Sequence, residues 1–378
     1  MNPRIPSFLS RPVAVAAAAL ATALLAAAPA QAAHGVAATA GQADATPSTR
    51  PLPVVASFSI LADLVKQVGG DRVAVESLVK AGGDTHVFQP GPAQVRQLSS
   101  ASLVVVNGLG FEGWMPRLIG SSGYKGPVVE AARGLQAMKA TDDHHHHGDD
   151  DDDHDHEGPH GHDHDHDGPH GHDHDEDGPH GHSHGDHDHD EASHGHHHHH
   201  HGGLDPHAWQ DALNVRHYVA NIAEGLCQAA PADCSGFRER ARAYDQKLLE
   251  LDQEIHQAVD ATPTDRRRVM VSHAAFGYYG RAYHITFMAP VGISTEEEPS
   301  AAVVANLIRQ ARQQNVQAFF FENNSDPRLL KRMASELKNV TIGELYADSL
   351  SPANGPAADY LSMMRYNTRA ISQALSKK

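Results

Sequence analysis

The stretch "SGFRERARAYDQKLLELDQEIHQAVDA", residues 235–261, contains no proline, and its single glycine sits at the second position. Tyr244, Leu248, Leu251 and Ile255 follow one another at spacings of four, three and four, which places them on one stripe of an α-helix. At about 1.5 Å per residue, a helix of this length reaches across two small domains. The same stripe would also suit an ordinary core helix, so the flanking sequence decides. On the N-terminal side, "PLPVVASFSILADLVKQVGG" (51–70), "DRVAVESLVKAGGDTH" (71–86) and "SLVVVNGLG" (102–110) each carry a short apolar run, and "PAQVRQLSSA" (92–101) is polar and helical. On the C-terminal side, "RRVMVSH" (267–273), "ITFMAPVG" (285–292), "VQAFFFENN" (316–324) and "VTIGELYADS" (340–349) alternate with helical stretches such as "SAAVVANLIRQARQQN" (300–315). Short strands alternating with helices imply parallel sheets covered by helices. The expected fold is α/β, with two lobes built on central parallel sheets flanked by helices and joined by one long rigid helix, 235–262. The N-terminal lobe takes residues 51–141 and 202–234, where Val215, Val219, Ile222 and Leu226 keep helical spacing, and the C-terminal lobe takes 263–378.

The chain opens with Arg4 and Arg11 ahead of an Ala/Val/Leu run that ends at Ala30-Gln31-Ala32. Charged, apolar and small-residue regions in that order read as a secretory signal peptide, residues 1–32. A membrane anchor is the competing reading, but the run is short and has no neighbouring cysteine for lipid attachment. Residues 33–50 are Ala/Thr/Ser-rich and read as a flexible lead-in. No later stretch is long and apolar enough to span a bilayer, so the mature protein is expected to be periplasmic. Its two cysteines, Cys227 and Cys234, flank "QAAPAD" and in an oxidising compartment are expected to pair as a disulfide. A metal-thiolate site has no second cysteine pair to complete it.

Of 32 histidines, 25 fall between His144 and His201, in a tract built on repeats such as "GPHGHDHDHD" (158–167). The same segment holds 20 Asp and Glu and no Lys or Arg, so the formal charge of −17 belongs to it and the rest of the chain is slightly basic. Without apolar surface to offset ordering entropy, residues 142–201 are expected to be disordered. Imidazoles and carboxylates at this density form a loop that captures metal ions weakly and in many geometries. No basic patch interleaved with aromatics exists elsewhere, which excludes a nucleic-acid partner.

Outside the tract, His86 lies in "GGDTHVFQP", His207 in "LDPHAWQD" and His273 at the end of "VMVSH", while Asp348 follows the strand in "LYADS". Ligands of parallel sheets gather beyond the carboxyl ends of the strands, where these four residues are expected to converge in the cleft between lobes. Three imidazoles and a carboxylate make a tetrahedral, nitrogen-rich shell that favours Zn2+ over manganese or iron. His217, His256 and His284 read as structural or surface residues.

These motifs, with the His/Asp-rich loop directly before the second of them and the closing "LYADSL…YLSMMRYNTRAI", resemble the zinc-binding receptors of bacterial ABC importers. The resemblance covers nearly the whole mature chain. It implies two α/β lobes bridged by one rigid helix, a metal ion held between them by His86, His207 and His273, and delivery of that ion to a membrane permease. Manganese-binding relatives tend to carry a carboxylate where His273 stands. The "GDTH" of the first motif lacks the loop-borne acidic ligand some relatives have, and the fourth position falls to Asp348 or to water. On this reading the protein is a monomeric transport receptor and not an enzyme. Two other readings stay open: a metal buffer acting through the tract, and a zinc hydrolase, for which Glu322 is the nearest candidate base.

Overall fold

The computed structural model describes residues 50–140 and 203–376. The expected signal peptide, the lead-in before Arg50 and the His/Asp-rich loop lie outside the described residues. In chain order the regular elements are β1 (Leu52–Phe58), α1 (Ser59–Gly69), β2 (Val73–Val79), α2 (Pro92–Ser99), β3 (Leu103–Val106), α3 (Met115–Ser122) and β4 (Val128–Glu130). After the loop come α4 (Ala212–Ala229), α5 (Cys234–Asp260), β5 (Arg268–Val271), α6 (Gly277–Tyr283), β6 (Thr286–Met288), α7 (Ala301–Gln313), β7 (Ala318–Glu322), α8 (Arg328–Ser335), β8 (Thr341–Leu345) and α9 (Tyr360–Ser376).

The strands form two four-stranded sheets, ordered β2-β1-β3-β4 and β6-β5-β7-β8. Every pairing within them is parallel. Both sheets therefore have the same order, with the second strand outside the first and the third and fourth on its other side. The central strands read as unbroken apolar runs because both their faces are covered, and all four residues of β3 are buried. In the C-terminal sheet the two-residue period of a strand divides the core. Val269, Val271 and Phe320 join the main core, while Met270 and Phe319 face a smaller cluster with Leu330 and Met333.

Helix α5 supplies the join. Phe237, Ala241, Tyr244, Leu248, Leu251, Ile255 and Val259 are its buried residues, a stripe of threes and fours along the whole element. It packs against α1 and α4 of the first lobe and against α6 and α9 of the second. Its start is fixed covalently: Cys227 near the end of α4 is bonded to Cys234 at the first position of α5, and Arg72 pairs with Asp233 at 2.8 Å. A helix anchored on both lobes along one apolar stripe holds them as a stiff strut, because bending it would expose that stripe. Among the described residues no helix is long and apolar enough to cross a membrane.

Leu248 and Leu251 are fully buried in this strut. The substitution Leu248→Ala is expected to destabilise the protein by about 2–5 kcal/mol, read as a lowered urea midpoint with little change in slope.

Candidate metal centre

All four candidate residues follow strand ends on the same side of their sheets: His86 comes after β2, His207 after β4 and the loop, His273 after β5, and Asp348 after β8. Hydrogen bonds hold the three histidine loops in place. In the first loop Gly82 adopts a left-handed conformation (φ 79°), Asp84 Oδ1 accepts the backbone N–H of His86 at 2.9 Å, and the Trp114 indole donates to the Thr85 carbonyl at 2.9 Å. In the second, Asp205 Oδ1 accepts from both the backbone N–H of His207 (2.9 Å) and its Nδ1 (2.8 Å). The indole of Trp209 and the amide of Gln210 both donate to the Ala347 carbonyl at 2.9 Å, which ties the second loop to the residue before Asp348. At the third, Glu322 at the end of β7 accepts from the His273 backbone N–H (3.1 Å) and from its Nδ1 (2.5 Å).

These contacts set the ring tautomers. With Nδ1–H donated to Asp205 or Glu322, the Nε2 lone pairs of His207 and His273 are directed away from the carboxylates. They meet at one point. His207 Nε2 lies 3.3 Å from His86 Nε2 and 3.4 Å from His273 Nε2. Asp348 Oδ2 is 3.4 Å from His86 Nε2 and 3.1 Å from His273 Nε2, and Oδ1 is 3.6 Å from His207 Nε2. A tetrahedral ion with ligands at about 2.0–2.1 Å requires donor-to-donor edges of about 3.3–3.4 Å, so this set has nearly the dimensions of a zinc shell.

Burial makes the arrangement costly without a cation. The side chains of His207 and Asp348 are fully buried, that of His273 is 1% exposed and that of His86 6%. Among the described residues neither oxygen of Asp348 receives a hydrogen bond of acceptable geometry, and its polar neighbours are the imidazoles. A carboxylate removed from water in this way demands a positive charge. Burial would raise the Asp348 pKa, but the His273 and His207 imidazoles outweigh it and hold the carboxyl well below its ordinary range. Burial likewise pulls against a charged His273, and the flanking Glu322 and Asp348 overcome it and raise the imidazole well above its usual value. The Asp348–His273 contact thus favours a charged imidazole beside an ionised carboxyl.

The structure brings together the four residues the sequence singled out. Glu322 is buried, and both its carboxylate oxygens contact His273, so it orients that ring. The acidic residue of the first loop, Asp84, is turned toward the loop backbone and is not among the converging donors. Asp205 was not singled out from sequence, although an acidic residue two positions before a ligand is the signal of this backbone-capping turn. Among the described residues the other three histidines stand apart: His217 is exposed on α4, His256 sits 3.9 Å from Asp252 on α5, and His284 closes α6 in a left-handed conformation.

A pair of like-ordered parallel sheets, a bridging helix and a buried donor cluster between them define a two-lobed solute-binding protein. Residues 54–374 match the family model described as zinc-uptake complex component A, periplasmic, and the chain belongs to that family. It is similar to the manganese ABC transporter substrate-binding lipoprotein PsaA of Streptococcus anginosus, with 27% identity over 90% of this chain and 94% of that protein. The manganese-binding lipoprotein MntA of Halalkalibacterium halodurans is 25% identical over 86% of this chain and 89% of its own length. In fold the chain is similar to the periplasmic zinc binding protein TroA from Treponema pallidum, at TM-score 0.68 and 22% identity, covering 87% of this chain and all of that one. A Mn-bound periplasmic metal binding protein from Candidatus Liberibacter asiaticus matches at TM-score 0.64 and 21% identity, over 86% and 99% of the two chains. The protein is a metal ABC transporter substrate-binding protein and not an enzyme, which removes the hydrolase reading.

The raised His273 pKa fixes a sign. The charged contact stabilises the metal-free fold below the ordinary imidazole range and is lost as pH rises through the raised value. Imidazole NMR of the metal-free protein is expected to show His273 protonated at neutral pH, and Glu322→Gln to bring its titration down.

Proposed function

We propose that this protein captures Zn2+ in the periplasm, after export on its N-terminal segment, and carries it as a monomer to the permease of an ABC importer. His86, His207 and His273 supply three Nε2 donors and Asp348 supplies the oxygen. The observation that supports zinc most directly is the donor set itself: three nitrogens and one oxygen at the edge lengths of a small tetrahedron. Manganese favours more oxygen, yet Glu322, the carboxylate best placed to add one, is committed to the far side of the His273 ring. The relatives named for manganese make that ion the competing cargo.

The His/Asp-rich segment 142–201 is proposed to serve as a capture loop. The described residues that flank it lead toward the centre: Ala140 N–H donates to the Gly203 carbonyl, Asp205 N–H donates to that of Met138, and His207 follows two residues later. Many weak ligands tethered there raise the local ion concentration beside the second ligand loop. The loop collects ions, and the cleft selects one. A buffer would reverse these roles, with the tract holding nearly all the metal.

The cycle is non-covalent. Zinc displaces the His273 proton and neutralises Asp348, both lobes contribute donors, and docking on the permease opens the shell. Because a proton leaves on loading, affinity is expected to fall by about tenfold per pH unit below the His273 pKa. The decline should start above the pH at which free imidazole titrates.

Deleting residues 142–201 separates receptor from buffer: calorimetry is expected to retain one tight zinc site per chain, preferred over manganese. Substituting His273→Ala in that background should weaken the site at least 100-fold, since it removes a donor and strands Asp348. Loss of nearly all binding on deletion, or a tighter site for manganese, would overturn the zinc-receptor reading.

A further inference from the structure

We infer that Asp84 and Thr295 form a latch across the cleft, positioning His86 from the opposite lobe and slowing metal release; this rests on the reading of the centre as a cargo site. Two of the three imidazoles are braced through their own rings, His207 by Asp205 and His273 by Glu322. In the His86 loop the equivalent residue, Asp84, is used differently. Its Oδ1 caps the His86 backbone, as Asp205 caps His207, but Oδ2 accepts the Thr295 hydroxyl at 2.8 Å instead of an imidazole nitrogen. Thr295 belongs to the other lobe, in the segment between β6 and α7.

That segment is joined to the third ligand. Val291 forms an isolated parallel bridge with His273, and Ala274 N–H donates to the Gly292 carbonyl at 3.1 Å. A continuous path therefore runs from His86 through Asp84 and Thr295 to Gly292 and the His273 backbone. Separating the lobes around His86 must break the Asp84–Thr295 bond; while it holds, both ligand backbones are kept at one spacing. Hydroxyl-to-carboxylate hydrogen bonds are among the stronger neutral-donor contacts, so one such bond is enough to alter a release rate. Its situation also suits opening. The C-terminal lobe makes other hydroxyl contacts to the ligand loops, with Ser349 Oγ accepting the Gly82 N–H at 2.6 Å, Tyr278 donating to the Asp205 carbonyl at 3.0 Å and Tyr360 donating to the Trp209 carbonyl at 2.7 Å, but those three side chains are buried in the core. Asp84 and Thr295 are only half-buried, so parting them lets water in at little cost. Thr295 and Asp84 are positioning residues, with no atom among the converging donors.

The test uses the full chain loaded with zinc and mixed with excess chelator, followed by tryptophan fluorescence. Trp209 reports on the cleft because its ring lies 5.3 Å from that of His207. Thr295→Val is expected to speed the slow release phase by about tenfold while leaving association nearly unchanged, and Thr295→Ser to restore the wild-type rate. In an Asp84→Ala background, Thr295→Val should add nothing. Release at the wild-type rate in Thr295→Val would overturn the latch, as would equal acceleration with and without Asp84. A lowered melting temperature of the metal-free Thr295→Val protein with unaltered release would make the contact merely structural. A wild-type chain with no zinc-dependent fluorescence change sensitive to His273→Ala would instead sink the cargo-site reading itself.

Discussion

A fully buried carboxylate whose polar neighbours are three imidazole nitrogens is the constraint on which the molecule is organised. Asp348 is fully buried and, among the described residues, receives no backbone amide, and His207 Nε2 lies 3.3 Å and 3.4 Å from those of His86 and His273, so lone pairs directed at one shared point would repel one another. Positive charge at the shared point relieves both problems. A proton on His273 relieves part of it, and a divalent ion relieves all of it. A centre that can exchange a proton for a metal ion suits a carrier that must both load and unload.

The remainder of the structure keeps these donors in place. Parallel strands put all the relevant loops on the carboxyl side of each sheet, where the four side chains converge. Helix α5 fixes the distance between lobes through one apolar stripe. Behind the donors, Asp205 and Glu322 set ring orientation, and Trp209 and Gln210 connect the second ligand loop to the strand end of the fourth. Ligands that belong to different lobes are thus linked by local hydrogen bonds as well as by the overall fold.

Much of this was legible in the residues. The α5 stripe, the alternation of strands with helices, the close cysteine pair and the four donors all follow from spacing and residue type, because periodicity and strand-end position are local properties. The strand β4 was not legible: Val128–Glu130 is a three-residue edge strand with exposed ends and no apolar run to mark it. Nor were the roles of the carboxylates. Asp84 and Asp205 occupy the same position two residues before a histidine, yet one turns to a threonine 211 positions away and the other to an imidazole nitrogen. Such choices depend on which lobe lies opposite, and sequence spacing carries no record of that.

The most direct measurement is an anomalous difference map, collected at the zinc edge, from crystals of the protein grown with one equivalent of zinc. The account predicts a single strong peak between the lobes, within about 2.0–2.2 Å of the Nε2 atoms of His86, His207 and His273 and of one Asp348 oxygen. Zinc bound only elsewhere, with these four side chains turned apart, would contradict it.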